Sequence, residues 1–177
     1  RGVYWFEIEA MGHIGHGSMP FLGTSAIEHM GAVIDTMRRE LLPTFAQRTT
    51  AAPVVPPGAR QATLNINALH GGQPLGDIQS PCVADRCTAV FDRRFLIEEG
   101  FEDVRGEIVS LLDGIKDEIP EFKWNLKDLM VVHPTRTPDD ASVVKALGTA
   151  ISRVLGRDAT LVASPGTYDH KHVARIA

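Results

Sequence analysis

The hydrophobic period of this chain switches between two residues and about three and a half, and the order of the switches constrains the fold. Residues 4–10 alternate with period two, which predicts a half-buried strand. An apolar stripe at spacings of three and four follows and predicts a helix, with Ser25 and Glu28 as its capping box and Pro43 as its end. The strand's inward residues are Tyr4, Phe6, Ile8 and Ala10, and the helix stripe is Ile27, Met30, Ile34, Met37 and Leu41.

The same switches occur again further along the chain. Residues 62–69 and 86–92 alternate on either side of a long loop, which favours an antiparallel pair of strands, and residues 122–126 alternate as a fourth strand. Between them a second helical stripe ends at Pro120. The inward residues are expected to be Leu64, Ile66, Cys87, Ala89 and Phe91 in the strands, and Phe101, Val104, Ile108, Leu111 and Ile115 in the helix.

The order β-α-β-β-α-β is typical of one α+β fold. This is the split β-α-β-β-α-β sandwich, a four-stranded antiparallel sheet with both helices on one face, and it accounts for residues 1–132. A sheet this small leaves edge strands and an open face that need cover. A dimer is a common way to provide it.

Residues 133–177 have a different rhythm. A helix marked by Val144, Leu147, Ile151 and Leu155 is followed by a short apolar strand at 159–163 and the start of another helix after SPGTYDHKH. This α-β-α order is typical of a parallel α/β domain, of which 45 residues are only a part. We therefore expect the chain to be a piece of a longer protein, with a domain boundary near residue 133.

Composition excludes several classes of protein. Of the 177 residues 44% are hydrophobic and 23% charged, and the net charge of −4 does not favour nucleic acid or an acidic membrane surface. No apolar run approaches the roughly 20 residues that a membrane span needs. Only two cysteines are present, Cys82 and Cys87, which is typical of a reducing compartment, so we predict a cytoplasmic protein.

One histidine lies in a turn built of glycine, serine and proline. His16 stands in GHGSMP just before the first helix, where flanking glycines let the backbone approach a ligand and the helix start offers free N–H groups. Such a histidine is suited to stabilising an oxyanion. A single turn histidine is more commonly a solvated polar side chain, and both interpretations stay open on the residues alone.

Other polar groups invite interpretation as sites. Arg93 or Arg94, after Asp92, is placed to bind a carboxylate bidentately, although a solvated charge pair at a strand end is the more common case. Asp169, His170 and His172 suggest metal ligands, but a helix start there would point the two histidines apart. The glycines between His13 and His16 disfavour a fixed metal geometry. Cys87 is expected to be a small core residue.

Three segments in order resemble the M20 family of zinc-dependent hydrolases. GHIGHGSMPFLGTSAI fills nearly every position of that family's G-x-x-x-H-[AG]-[GS]-x-P-x-x-G-x-[NS]-A-[IV] pattern. ATLNINALHGG and ADRCTAVFDRRF resemble its next two strands, and SPGTYDHKH its G-T-x-D segment. The subgroup most similar in these motifs is that of acetylornithine deacetylase and succinyl-diaminopimelate desuccinylase. The resemblance covers essentially the whole chain and implies a lid, or dimerisation, domain with part of the catalytic domain.

The resemblance also implies roles for individual residues. His16 would reach across a homodimer and hydrogen-bond the oxyanion in the partner's active site. Arg94, on the Arg of D-x-R, would grip the substrate carboxylate, and Gly166 and Thr167 would line the substrate site. The intact enzyme would use two Zn²⁺ (or Co²⁺) ions to hydrolyse an N-acyl amino acid or small peptide amide.

The family's metal ligands and general base lie outside the matching segments. The resemblance therefore implies that this chain alone holds no metal and is inactive, and that His170 and His172 are not ligands. Pro81 stands where relatives usually carry a substrate-binding Asn, and Lys171 where an Arg is frequent. The alternative is a non-catalytic dimeric module that binds an amino acid for regulation, because one fold supports several functions.

Overall fold

The computed structural model describes residues 1–74, 76 and 80–173 of the chain. It confirms the predicted fold, a four-stranded antiparallel sheet in the order β2-β3-β1-β4 with helices on one face. The elements that build this fold are β1 (Gly2–Met11), α1 (Ala26–Thr36), α2 (Leu42–Phe45), β2 (Thr63–Gly71), β3 (Arg86–Phe95), α3 (Phe101–Glu118) and β4 (Lys123–Val132). Beyond them lie α4 (Ser142–Leu155) and α5 (His170–Val173).

The core lies between the sheet and the helices α1 and α3. The inward residues of β1 are fully buried as the alternation predicts, and Phe6 stacks on Phe91 of β3 with ring centroids 5.0 Å apart. From the helices, Met30, Ile108 and Leu112 close the layer. Within the described part of the chain, no helix is long and apolar enough to span a membrane.

The first helix does not stop before Pro43. A π-helical turn, Met37–Leu41, continues α1, and Pro43 lies in the first turn of α2. There the Leu42 N–H bonds to the Met37 carbonyl five residues back. The wider turn lets a residue without an N–H enter the helix, which is the reason the predicted end is wrong.

Two predicted core residues lie at the rim of the core. Ile27 is 48% exposed and Ile66 is 40% exposed, whereas Leu64 is half-buried. β2 is an edge strand, and its register with β3 shifts after Ile66, so part of its inner face lies beyond the helices. In α1, Val33 is buried, although the predicted stripe named Ile34 instead.

Residues 159–163 do not form the predicted strand. Ala163 makes an isolated parallel bridge to Val54, with its N–H bonded to the Pro53 carbonyl at 2.8 Å. A strand needs a neighbouring ladder, and in the described residues none is available there. The proposed boundary at 133 follows β4 directly and stays a prediction.

One charged side chain is fully buried in this apolar layer. Arg93 lies on the core face of β3, with its guanidinium 4.1 Å from the ring centre of Phe45. Its Nη2 donates to Glu99 Oε1 at 2.7 Å, and the other carboxylate oxygen of Glu99 accepts from the Leu96 N–H at 2.6 Å. Burial lowers the pKa of Arg93 and Glu99 opposes that shift, so the ion pair ties the end of β3 to the turn before α3.

Glu99→Gln is expected to lower the free energy of unfolding by about 3–5 kcal/mol, because it removes the nearest counter-charge of the buried Arg93 and leaves only Glu107 at 3.9 Å. Glu40→Gln is the control, since Glu40 is exposed, and it should stay within about 0.5 kcal/mol of the parent. Urea unfolding followed by circular dichroism measures both. Equal losses for the two variants would contradict the buried ion pair.

Candidate functional site

His16 lies on a loop whose backbone is bonded on two sides. We call residues 12–24 the His16 loop and residues 80–85 the strap. Across the base of the loop, the His13 N–H bonds to the Thr24 carbonyl at 2.9 Å and the reverse bond is 2.8 Å. The strap holds the other side, since Gly17 N–H donates to Pro81 O at 2.6 Å and Val83 N–H donates to Gly15 O at 2.8 Å. The loop is therefore a fixed platform rather than a free turn.

Close backbone approach explains the glycines of this loop. A Cβ at Gly12 would lie 2.0 Å from the Thr24 carbonyl oxygen, and one at Gly15 would lie 2.8 Å from the Gly23 nitrogen. No side chain fits at these distances, so the glycines allow the two limbs of the loop to pair. Ser25 caps α1 directly after the loop by accepting the Glu28 N–H at 3.2 Å, as the sequence predicts.

The His16 side chain points away from the protein core. It is exposed, and its ring Nδ1 lies 2.8 Å from Ser18 Oγ and 3.1 Å from the Ser18 backbone nitrogen. In the part of the chain that the structure describes, Nε2 has no hydrogen-bond partner. One ring nitrogen is thus tied to the loop while the other is available to a ligand.

Exposed apolar side chains occur in the same loop as His16, and the periodicity of the sequence did not single them out. Ile14 is 57% exposed, Phe21 79% and Leu22 60%. A cluster of large exposed apolar side chains marks a contact surface. The signal was present in the sequence as IGHGSMPFL, in which hydrophobic residues occupy a turn with no helical or strand period.

Arg94 lies at the opposite end of the sheet. It is on the face of β3 away from the helices, whereas its neighbour Arg93 is buried in the core. Arg94 Nε donates to Asp92 Oδ1 at 2.6 Å and Nη2 to Oδ2 at 2.7 Å, so one edge of its guanidinium is fixed. The described residues give Nη1 no partner, so the other edge is open to a carboxylate.

Gly166 and Thr167 gather at the same end of the sheet as Arg94. Thr167 Oγ1 donates to the Arg1 carbonyl at 3.3 Å, and both residues line a cavity of about 380 Å³ with Arg1, His133 and Lys171. Burial lowers the pKa of the Arg1 guanidinium, and the charge of Arg94 adds to that shift. Three of the four predicted site residues, Arg94, Gly166 and Thr167, therefore lie near Arg1 at one end of the sheet.

The register of β1 and β3 measures how far His16 lies from this group. Val3 pairs with Arg94, and Met11 pairs with Arg86. Eight residues of strand separate these pairs, which is about 26 Å at the usual rise per residue. His16 follows Met11 beyond the far end, so one small substrate cannot touch both His16 and Arg94 of the same protomer.

Asp169 and His172, two of the residues proposed as metal ligands, belong to no metal-binding group among the described residues, and the side chain of His170 lies outside the described part of the chain. His170 begins the short helix α5, which agrees with the predicted helix start. Among the described residues, no three His, Cys, Asp or Glu side chains converge as a metal-binding group. The metal ligands that the resemblance implies lie outside the matching segments, and the described residues do not supply a set of their own.

The two cysteines and Pro81 have local structural roles. Cys87 is buried on the core face of β3, which confirms its interpretation as a core residue, and burial raises the pKa of its thiol. Cys82 has a free thiol, and its backbone forms an isolated antiparallel bridge with the backbone of His16. Pro81, at the position where an Asn was expected, contributes its backbone carbonyl to the His16 loop.

Comparison with known proteins identifies relatives over the whole chain. The family model described as the peptidase dimerisation domain of M20 matches residues 1–120. Succinyl-diaminopimelate desuccinylase of Marinobacter nauticus is 25% identical over 174 residues, which are 98% of this chain and 41% of that protein. The chain thus spans about two fifths of the length of this relative.

Solved structures share the fold. Human carnosine dipeptidase 1 superimposes with a TM-score of 0.71 at 14% identity, over 99% of this chain and 45% of that one. Aminopeptidase PepT from Bacillus cereus gives a TM-score of 0.66 at 20% identity, over 98% of this chain and 41% of that one. At these identities the likeness concerns the fold.

Gly12→Ala should displace the His16 loop, because its Cβ has no room beside Thr24. We expect a loss of about 1–3 kcal/mol in the free energy of unfolding and faster amide exchange at His13 and Thr24. Gly31→Ala is the matched control, because no atom lies within 4 Å of a Cβ there. It lies inside α1 and should stabilise by about 0.5–1 kcal/mol. Unchanged exchange in Gly12→Ala would refute the close approach.

Proposed function

The chain belongs to the M20 peptidase dimerisation-domain family, and we propose that it is the dimerising lid of a hydrolase of N-acyl amino acids or small peptide amides. Residues 133–177 would be the adjoining part of its catalytic domain. One observation carries the proposal: His16 and Arg94 lie at opposite ends of a strand pair whose register spans about 26 Å. In a dimer, one active site would take Arg94 from one protomer and His16 from its partner.

His16 is suited to the oxyanion of an amide-hydrolysis intermediate. An exposed imidazole on a fixed loop costs little reorganisation when negative charge develops on the substrate oxygen. The rigid bonds to the strap supply that fixation, and the apolar side chains at the tip would exclude water on docking. Removing such a donor typically lowers kcat by about 10²–10³.

Arg94 is suited to the carboxylate of the substrate. Asp92 holds the Nε and Nη2 edge of the guanidinium, which fixes its plane and directs the remaining N–H groups outward. Planar, bidentate recognition of a carboxylate needs this preorganised fork. Thr167 and Gly166 would line the site from the same end of the sheet, where the Thr167 hydroxyl donates to the Arg1 carbonyl and the Gly166 N–H donates to Ser164 Oγ.

The outer edge of β2, together with α1 and α2, is the surface that we assign to the homodimer. β2 is a terminal strand of the sheet, and Leu69 is 57% exposed, Ile66 40% and Leu42 36%. Beside them a groove of about 270 Å³ is lined by Ile34 and Phe91 among others. An unpaired apolar edge of this kind is suited to pairing with a second copy.

Antiparallel pairing of two β2 edges would bring the proposed site together. In such a pair the ends of the strands are reversed, because a two-fold axis relates the copies. The His16 end of one sheet would then lie beside the Arg94 end of the other. The proposed interface and the proposed in-trans role of His16 therefore support each other.

The metal site and the rest of the catalytic domain would come from parts of the enzyme other than this chain. Two zinc or cobalt ions, bound by residues outside this chain, would supply the activated water of the whole enzyme. The exposed apolar side of α4, with Val143 64%, Leu147 61% and Val154 77% exposed, would pack on the rest of the catalytic domain. The chain alone would then be inactive. The two free cysteines of the chain, Cys82 and Cys87, favour a cytoplasmic location.

Ile66→Asp should dissociate the dimer, because it places a charge on the proposed β2 interface. Leu129→Asp is the control, since Leu129 is 41% exposed on β4, at the opposite edge of the sheet. The solution mass by light scattering over a dilution series measures both. We expect a monomer for Ile66→Asp and a dimer for Leu129→Asp. The reverse result would move the interface to β4, and a monomeric parent chain would show that the interface needs the rest of the protein.

Complementation between two inactive variants tests the sharing of residues between protomers. Full-length His16→Ala and Arg94→Ala should each have low kcat/KM as homodimers. Mixed, dissociated and reassociated in equal amounts, they should recover about a quarter of the parental activity, because half the dimers then carry one intact site. His16→Ala mixed with His16→Ala is the control. No recovery in the mixture would mean that both residues serve the same protomer's site, or that neither serves catalysis.

A further inference from the structure

The geometry around His16 fixes where its ring proton resides. The Ser18 backbone nitrogen lies 3.1 Å from His16 Nδ1 with its N–H directed at that atom. A backbone amide can donate and cannot accept, so the bond requires a lone pair on Nδ1. Nδ1 is therefore unprotonated in the arrangement that the loop holds.

The Ser18 hydroxyl reinforces the same state. Ser18 Oγ lies 2.8 Å from Nδ1, and its hydrogen rotates to suit its partner, so it can donate to the same lone pair. With a protonated Nδ1, the amide N–H would instead face another N–H across 3.1 Å. The two groups of one residue thus favour a single tautomer.

The backbone holds Ser18 in this position. The His16 carbonyl accepts the Met19 N–H at 2.8 Å, which closes a turn around Ser18, and Gly17 is bonded to the strap through the Pro81 carbonyl. The turn directs the Ser18 amide back towards the His16 ring. Ser18 itself is exposed and, among the described residues, makes no other side-chain hydrogen bond.

We propose that Ser18 is a positioning residue that sets the tautomer of His16. In a neutral imidazole with unprotonated Nδ1, the single proton lies on Nε2, the nitrogen that the described residues leave free. His16 then presents an N–H donor outward without having to become positively charged. The inference about the tautomer stands on this chain alone, and only its use at an oxyanion rests on the proposed function.

The tautomer is directly measurable in this chain. Long-range proton–nitrogen correlation spectra of the ¹⁵N-labelled protein, recorded above the titration range of histidine, distinguish an Nε2–H from an Nδ1–H ring. The His16 signals are assigned by their loss in His16→Asn. We expect His16 to have a larger Nε2–H fraction than His13 and His70, whose exposed rings make no hydrogen bond in the described structure. An equal or smaller fraction would overturn the proposal.

Substitutions at Ser18 separate its two contributions. Ser18→Thr retains the hydroxyl and should keep the tautomer, and Ser18→Ala retains only the amide and should reduce the Nε2–H fraction. Ser18→Asp places a carboxylate, which can only accept, beside Nδ1 and should move the proton to that nitrogen. A His16 tautomer that is the same in Ser18→Asp and in the parent chain would refute the positioning role.

Activity of the full-length enzyme gives a separate readout. Ser18→Asp should lower kcat by up to about 10²–10³, the loss expected for a missing oxyanion donor, with KM unchanged. Ser18→Thr should retain the parental kcat. A reversed tautomer with unchanged kcat would leave the positioning role intact and refute the proposed oxyanion role. An unreversed tautomer with lowered kcat would refute the positioning role instead.

Discussion

Strand β1 is paired on both sides along nearly all of its length, and most of the molecule depends on that double pairing. β3 and β4 both run antiparallel to it, so its inward side chains are enclosed by the sheet neighbours and by the helices above. The strand also sets the distance between the two ends of the sheet. Because the His16 loop begins where β1 ends and Arg94 pairs near its start, the ladder keeps the two proposed functional ends apart. Fold stability and site geometry therefore come from the same hydrogen bonds.

Alternation along β3 gives two adjacent arginines opposite environments. Arg93 points into the core, where Glu99 and the ring of Phe45 compensate its charge, and Arg94 points to the open face, where Asp92 orients it. The buried arginine anchors the strand end from which the exposed one projects. A substitution at the buried position would thus disturb the orientation of Arg94, the residue proposed to bind a carboxylate, without contacting it.

The predictable part of this structure is the part governed by local periodicity. The inward set of β1, the Ser25 cap and the end of α3 before Pro120 follow from spacing and capping, because neighbours in sequence determine them. The π turn before Pro43 and the exposure of Ile66 depend on the packing of whole elements and on which strand lies at the edge. No local pattern in the sequence carries that information.

The same distinction holds for the candidate site. His16, Arg94, Gly166 and Thr167 were identified from motif resemblance, but the motif does not show that the first lies at the far end of the sheet. That fact requires the register of β1 against β3. The Asp92 and Ser18 contacts span only two residues along the chain, yet they depend on side-chain direction, which the sequence leaves open.

The strap holds the His16 loop through main-chain atoms alone. The Pro81 and Asp85 carbonyls and the Val83 amide make these bonds, and every residue type offers a carbonyl while all but proline offer an amide. Side chains in the strap are consequently free to differ between enzymes that act on different substrates, without displacing the histidine. Under the proposed function, a lid built in this way can change what it recognises while the position of its imidazole stays the same.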